Sequence, residues 1–272
     1  MPDFLNDADF GKFKTLIYDS SGITFSETNR TILESRLKER LREKKLDSLD
    51  AYYQILMSNP DELKDLLDSV TTNLTRFFRN QPHFDTLENY IIPELIKIKR
   101  AENKKTIHIW SAGCSTGEEP YSLAMLFKRK LPSGFTAEIT ASDLSLKSLI
   151  VAKQGAYEES KTTGIPDDFL DEYFLKSGTT YQIRPEIRNM INFDYHNLKN
   201  DIKRTDFDLV FCRNVLIYFD EEAQKNVINK FYSAMSPKSF LFIGHSESLF
   251  GMNTKFKFLK TDWACLYQKT TD

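Results

Sequence analysis

The sequence contains little cysteine and histidine and no long apolar run, and each absence narrows the kind of protein it encodes. Its three cysteines lie far apart and are odd in number, which argues against a disulfide framework and favours a reducing compartment. Its four histidines have no metal-ligand spacing, so we expect no metal. No apolar run approaches the roughly 20 residues that span a bilayer, and the N-terminal stretch lacks the features of a secretory signal. We therefore expect a cytoplasmic protein that does not insert into a membrane.

The chain also has no large excess of basic or of acidic residues. The 37 basic and 39 acidic residues give a formal net charge of -2, which argues against broad nucleic-acid binding but leaves room for a local basic patch. With 272 residues, 40% of them hydrophobic, the chain is long enough for one large or two smaller cores.

The periodicity of apolar residues divides the chain into a helical domain over residues 1–88 and an α/β domain over residues 89–272. The first part has a helical period almost throughout, and Asn59-Pro60 is typical of a helix start. In the second part, short apolar runs alternate with helical segments, which predicts parallel strands joined by crossover helices, with an antiparallel edge strand last. A break in this rhythm at about 155–188 predicts a small β insertion. The predicted strands are Ile107–Trp110, Glu138–Ser142, Met190–Phe193, Asp208–Cys212, Phe240–Gly244 and Trp263–Gln268.

The most informative segment is the loop that follows the first predicted strand, Gly-Cys-Ser-Thr-Gly-Glu-Glu at residues 113–119. Gly113 and Gly117 allow backbone angles closed to other residues and leave room for a ligand. The pair Glu118-Glu119 would repel a pyrophosphate, but it suits a cofactor with a cationic end, such as the ammonium of S-adenosylmethionine. A glycine turn that opens an ordinary surface helix, with the glutamates complementing the helix N-terminus, is the alternative.

Polar residues also follow the other predicted strands, where an open parallel sheet binds its ligands. Asp143 ends the second strand and either accepts hydrogen bonds from a ribose or caps the next helix. The segment around Asn197 either contacts an adenine or is a plain loop. Arg213 and Asn214 follow a buried apolar strand, where polarity is expected only at the open end of the sheet. Tyr218, a little further on, either packs in the core or presents its hydroxyl to a partner.

At these positions the chain resembles the CheR family, methyltransferases that esterify glutamates of chemotaxis receptors with S-adenosylmethionine. Four segments carry the resemblance, in the family's order: Thr-Asn-Leu-Thr-Arg-Phe-Phe-Arg at 72–79, the loop region at 110–122, Ala-Ser-Asp at 141–143, and Cys-Arg-Asn-Val-Leu-Ile-Tyr-Phe-Asp at 212–220. The resemblance implies a Rossmann-like S-adenosylmethionine-dependent methyltransferase sheet, an all-α N-terminal domain that faces the receptor and a small β insertion.

The resemblance also implies roles for individual residues. Glu118 or Glu119 would hold the methionine ammonium, and we favour Glu118. Arg79 and Tyr218 would lie nearest the incoming carboxylate and are the predicted catalytic residues. The predicted cofactor-binding set is Asn73, Thr75, Arg79, Gly113, Glu118, Asp143, Asn197, Leu198, Arg213 and Asn214. The products would be a glutamyl methyl ester and S-adenosylhomocysteine.

A basic helix predicted over Thr31–Lys45 is the candidate receptor-binding surface. Its leucines would face inward, and its basic residues would meet the acidic, helical cytoplasmic region of a methyl-accepting chemoreceptor; a solvated helix face is the alternative. The predicted receptor-binding residues are Arg36, Lys38, Arg40, Arg42 and Lys44. Some relatives also tether to a peptide at the receptor C-terminus through the small sheet. The hairpin region Leu175–Ile187 looks short for that, so we expect no dependence on a tether.

Two other functions compete with receptor methylation. One is a methyltransferase that acts on RNA or another nucleophile, although no base-binding motif is recognisable near Asn214–Tyr218. The other is a non-catalytic module that retains the cofactor fold, which the intact loop, Asp143, Arg213 and Tyr218 argue against.

Overall fold

A computed structural model describes residues 4–71 and 74–270, and the chain divides into two compact units. The first comprises Met1–Thr72 with Ile217–Gln224, and the second comprises Asn73–Leu216 with Lys225–Asp272. No helix in the described part is both long and apolar enough to cross a membrane.

The first unit is helical, as predicted. Asn59 accepts hydrogen bonds from the backbone N–H groups of Asp61 and Glu62, and Pro60 is the first residue of the following helix, so this predicted start is confirmed. The inward-facing leucines predicted for the basic helix, Leu33, Leu37 and Leu41, are buried. The α-helices are α1, Asp7–Ser21; α2, Arg30–Lys44; α3, Leu49–Ser58; and α4, Pro60–Val70.

Residues from late in the chain complete the first unit. The N–H of Thr24 donates to the carbonyl of Tyr218 at 2.8 Å, and Ile23 forms an isolated antiparallel bridge with Phe219. These backbone bonds explain why Ile217–Gln224 belongs to the helical unit, although the residues before and after it belong to the second.

The second unit begins earlier than the predicted boundary at residue 88. Phe84 and Leu87 are buried in one apolar cluster with Ile107 and Ile109 of the first strand, and this packing assigns the segment to the α/β unit. Sequence periodicity could not reveal this, because a helix has the same period whichever core it joins. The α-helices of this part are α5, Gln81–Thr86; α6, Ile92–Ala101; α7, Glu118–Lys130; α8, Leu146–Gln154; α9, Asp167–Tyr173; α10, Pro185–Arg188; and α11, Glu221–Ala234, whose first four residues belong to the first unit.

Two sheets are found among the described residues of the second unit. The larger has seven strands in the order β6-β2-β1-β7-β8-β10-β9, and the first five pair in parallel. The smaller has the order β3-β5-β4, is antiparallel and corresponds to the predicted insertion. The strands are β1, Thr106–Ala112; β2, Thr136–Asp143; β3, Ala156–Glu158; β4, Phe174–Ser177; β5, Thr180–Ile183; β6, Ile191–Tyr195; β7, Phe207–Cys212; β8, Met235–Ile243; β9, Phe256–Lys260; and β10, Cys265–Lys269.

The α/β fold class and the antiparallel direction of the last strand are confirmed, but its place at the edge is wrong. β10 lies between β8 and β9, so β9 forms the edge of the sheet. The sequence of β9, Phe-Lys-Phe-Leu-Lys, is short and mostly exposed. Lysines are common on edge strands, where they hinder pairing with other chains, and such a strand lacks the apolar run that revealed its neighbours.

Candidate cofactor site

The loop after β1 is shaped by positive backbone angles and by close contact with the loop after β7. Gly113 has φ of 84° and Gly117 has φ of 96°, in the left-handed region that favours glycine. A Cβ on Gly113 would collide with the side chain of Val215, so the two loops could not approach as they do with a larger residue.

Asp143, at the end of β2, holds two loops in place. Its carboxylate accepts the backbone N–H groups of Ser115 and Ser145, each at 2.8 Å, and the residue is 8% exposed. The cap of α8 is Ser145, whose side chain accepts the N–H of Ser148. The alternative in which Asp143 caps this helix is therefore wrong. A carboxylate oxygen can accept more than one hydrogen bond, so this position is compatible with a ribose hydroxyl.

The two adjacent glutamates at the start of α7 have different surroundings. Glu118 is 1% exposed and accepts a hydrogen bond from the Thr116 hydroxyl at 2.6 Å. Glu119 accepts the Ser111 hydroxyl at 2.8 Å, and its other oxygen lies 3.4 Å from Nη1 of Arg213. Burial raises the pKa of both carboxyls above the ordinary range; Arg213 and Ser111 oppose this shift for Glu119, whereas Thr116 opposes it for Glu118.

Arg213 and Arg79 lie on the same side of this unit as Glu119. Arg213 is 7% exposed and donates to the carbonyl of Arg79, and burial lowers the pKa of its guanidinium despite the opposing effect of Glu119. The charge of Arg79 also acts on Glu119. The segment that carries Arg79 is fixed to α7, because the N–H of Phe78 donates to the Ser122 hydroxyl at 2.9 Å. The structure therefore brings together Arg79, Glu119 and Arg213, which come from the ends of different elements.

The remaining predicted cofactor residues lie in the same unit or outside the described residues. The N–H of His196 donates to the carbonyl of Asp143 at 3.1 Å, which brings the following Asn197 and buried Leu198 to the end of β2. Asn214 has φ of 59° and is partly buried. Thr75 is partly buried, whereas Asn73 lies outside the described residues.

Tyr218 belongs to the first unit, unlike the other predicted catalytic and cofactor-binding residues in the described part of the chain. It ends a short 3-10 turn, Leu216–Tyr218, is partly buried, and bonds through its carbonyl to Thr24. Its predicted catalytic role remains a prediction.

The basic helix α2 differs from its predicted appearance at one important residue. Arg40 is only 3% exposed, and its Nε donates to Glu62 of α4 at 3.1 Å, so its assignment to a receptor-binding surface is wrong. Lys44 pairs with the same carboxylate but is 38% exposed at its side chain. Arg36, Lys38 and Arg42 are at least partly exposed. The helical period places Arg40 among the other basic residues of α2. It could not reveal that a buried acid on another helix, Glu62 of α4, would pair with this arginine.

One site residue was missed altogether. Glu247, in the loop after β8, accepts the backbone N–H groups of Gly244 and Asn214. Its sequence context, Gly-His-Ser-Glu-Ser, gives no signal of this because the bond to Asn214 joins residues far apart in sequence. Within residues 4–71 and 74–270, no group of three or more His, Cys, Asp or Glu side chains could hold a metal ion.

A mostly parallel sheet whose strand ends carry a glycine loop, one buried and one partly buried glutamate and a loop-bracing aspartate suits a cofactor with a sugar and a cationic end. The fold and the site thus assign the chain to the S-adenosylmethionine-dependent methyltransferases.

Comparison with known proteins makes the assignment specific. The all-alpha domain of CheR methyltransferases matches residues 8–71, and the S-adenosylmethionine-binding domain of the same proteins matches residues 73–265. The chain therefore belongs to the CheR methyltransferase family.

Individual relatives match over most of their length. A chemotaxis protein methyltransferase of Borreliella burgdorferi is 38% identical, over 87% of this chain and 86% of that protein. One from Escherichia coli is 33% identical, over 93% and 88% of the two chains. A third, from Pseudomonas putida, is 32% identical over 96% and 97%.

Proposed function

We propose that this protein transfers a methyl group from S-adenosylmethionine to glutamate side chains of methyl-accepting chemoreceptors. The relatives are named as chemotaxis protein methyltransferases, and both units of this chain match that family. The observation that carries the proposal is the partly buried Glu119 carboxylate beside Arg213, because it offers opposite charges for the two charged ends of a methionine group. The reaction would give a glutamyl methyl ester and S-adenosylhomocysteine.

Glu119, and not the Glu118 that we favour from the sequence, is our candidate for the methionine ammonium. A cation beside Glu119 would offset the cost of keeping that carboxylate ionised away from water. Glu118 is almost fully enclosed and is already bonded to Thr116, which supports a role in fixing the loop. Asp143 would accept the ribose hydroxyls, and the rest of the cofactor would contact Asn73, Thr75, Arg79, Gly113, Asn197, Leu198, Arg213 and Asn214.

The proposed reaction requires positioning more than proton transfer. When bound, S-adenosylmethionine supplies an electrophilic methyl group. A substrate glutamate has a reference pKa of about 4.3 and is already anionic at neutral pH, so the protein needs no general base. In-line placement of its oxygen and removal of water can contribute up to about 7–11 kcal/mol in well-oriented cases. Arg79 and Tyr218 are the proposed groups that hold this carboxylate.

The role of Tyr218 can be tested by removing its hydroxyl. We expect Tyr218→Phe to lower kcat about 10- to 100-fold, which corresponds to one hydrogen bond to a charged group. Affinity for S-adenosylhomocysteine, measured by calorimetry, should hardly change, because the hydroxyl is proposed to contact the substrate. Tyr53→Phe, a change in a partly buried tyrosine of α3, is the control. Unchanged kcat in Tyr218→Phe would remove this residue from the mechanism.

The function itself is tested by transfer of radiolabelled methyl from S-adenosylmethionine to bacterial membranes that contain the organism's own chemoreceptors, followed by mild alkali. We expect label on the receptor bands and its release as methanol, as glutamyl esters require. Label that resists alkali would favour methylation of another nucleophile, such as RNA if it follows the nucleic acid. Cofactor binding without transfer would favour a non-catalytic module. Receptors truncated at the C-terminus should still be labelled if no tether is needed.

A further inference from the structure

Glu247 connects two loops at neighbouring strand ends. It is partly buried in the loop after β8, and one of its carboxylate oxygens, Oε2, accepts the N–H of Gly244 at 2.5 Å and the N–H of Asn214 at 3.0 Å. The loop after β7 is thereby fastened to the loop after β8.

The backbone at both ends of this connection is adapted to it. A Cβ on Gly244 would overlap the Glu247 carboxylate and approach the Asn214 nitrogen to 2.9 Å, so the space that the carboxylate occupies exists because residue 244 is a glycine. Asn214 has φ of 59°, a left-handed conformation that asparagine tolerates better than most residues but that still needs support. The bond from its N–H to Glu247 supplies that support.

The residues on either side of Asn214 reach the cofactor loop. Arg213 lies 3.4 Å from Glu119 and donates to the carbonyl of Arg79, while Val215 packs so closely on Gly113 that no side chain would fit there. A rotation of the Asn214 backbone would therefore displace a charged contact on one side and an apolar contact on the other.

We propose that Glu247 is a positioning residue for the cofactor site, which acts through the Asn214 backbone to hold Arg213 against Glu119 and Val215 against Gly113. This inference rests on the proposed function only in taking S-adenosylmethionine and its product as the ligands of that site. A simple loop brace would stabilise the protein without affecting the cofactor.

Three variants of the full chain separate these roles, with affinity for S-adenosylhomocysteine measured by calorimetry. Glu247→Ala removes the acceptor and should weaken binding at least tenfold. Glu247→Gln keeps a carbonyl oxygen at the same reach and should stay within about threefold of the unchanged protein. Glu247→Asp keeps the charge but shortens the reach, so it should bind less tightly than Glu247→Gln. Ser246→Ala, at an exposed neighbour in the same loop, is the control and should leave the affinity unchanged.

Wild-type affinity in Glu247→Ala would overturn the proposal, and so would a Glu247→Gln variant as weak as Glu247→Ala. If Glu247→Ala does not fold, the affinities of the other two variants decide. Equal affinities of Glu247→Gln and Glu247→Asp, or tighter binding by Glu247→Asp, would overturn the proposal. Melting temperatures of the same variants distinguish a positioning residue from a simple loop brace. Loss of a simple brace would lower the melting temperature without a change in affinity. An unchanged protein that binds no S-adenosylhomocysteine would overturn the cofactor assignment itself, and this inference with it.

Discussion

Glu119 is a carboxylate that the fold holds largely out of water beside a cation. Burial raises its pKa, while Arg213, Ser111 and Arg79 act in the opposite direction. Glu247, a like charge, adds to the increase. A ligand ammonium would stabilise the ionised form, so cofactor binding and the loss of a proton from this residue should be linked.

This linkage predicts a pH dependence of cofactor affinity. As the pH falls through the raised pKa of Glu119, its protonated carboxyl can no longer pair with an ammonium, so affinity for S-adenosylhomocysteine should decrease. Because the pKa is raised, the decrease should begin at a higher pH than the reference value of about 4.3 would give. Calorimetric titrations from neutral pH downward would measure it.

Matched variants assign the pH effect to one residue. Glu119→Gln should bind weakly with little dependence on pH over this range, whereas Glu118→Gln should retain the dependence of the unchanged protein. The reverse pattern would return the ammonium to Glu118. This control is necessary because burial also raises the pKa of Glu118.

The choice between these glutamates shows how far sequence reasoning reaches at the scale of a residue. The segment Gly-Glu-Glu places both carboxylates at a helix start, but neighbouring helical residues point about 100° apart, as 3.6 residues per turn require. Which one faces Arg213 depends on where the helix begins after Gly117 and on where Arg213 lies in the folded chain. Neither fact can be obtained from the spacing of the residues alone.

At the scale of an element, α2 is held to its neighbours by a buried network of charges. Arg40 and Glu62 are 3% and 2% exposed, and Tyr52 of α3 donates to Glu62 at 2.9 Å. Although burial acts to raise the pKa of Glu62, hydrogen bonds from Lys44, Arg40 and Tyr52 lower it. Three helices therefore meet at one ionised carboxylate.

Removing Arg40 should destabilise the first unit, because Glu62 would remain buried with less compensation. Loss of one partner from a buried ion pair typically costs about 3–5 kcal/mol, and we expect the lower end for Arg40→Met since Lys44 also pairs with Glu62. Urea unfolding of the full chain, followed by circular dichroism, would measure the change. Arg36→Met removes a partly exposed arginine from the same helix and should cost less than about 1 kcal/mol. If the two changes lowered the free energy of unfolding equally, the buried network would not be what stabilises this unit.

The elements that were predicted correctly are those with strong local patterns. β1 and β7 are mostly apolar and buried in the middle of a parallel sheet, and α2 has a regular leucine stripe. The edge strand β9 and the start of the second unit could not be predicted, because both depend on contacts with residues distant in sequence. The edge position of β9 follows from its pairing with β10, and the membership of α5 follows from packing against β1.

At the scale of the whole molecule, a nearly neutral chain carries a basic helix. The formal net charge is -2, while α2 contributes Lys38 and Arg42, four residues apart and both exposed. Residues at this spacing lie on one face of a helix. Their proposed partner is the glutamate-rich helical region of a receptor, and complementary charge of this kind favours encounter and register more than it adds raw affinity.

Reversing this local charge should weaken receptor binding and leave the cofactor site unchanged. We expect Lys38→Glu with Arg42→Glu to lower affinity for receptor-containing membranes about tenfold in low salt, measured by co-sedimentation. The difference from the unchanged protein should shrink as ionic strength rises, because the screening length falls to about 10 Å at 0.1 M. Affinity for S-adenosylhomocysteine should stay the same.

Lys97→Glu with Lys104→Glu changes the net charge equally at exposed lysines of the second unit and should have little effect on receptor binding. If both double variants bind receptors alike at every salt concentration, α2 is a solvated face and the receptor must be recognised elsewhere.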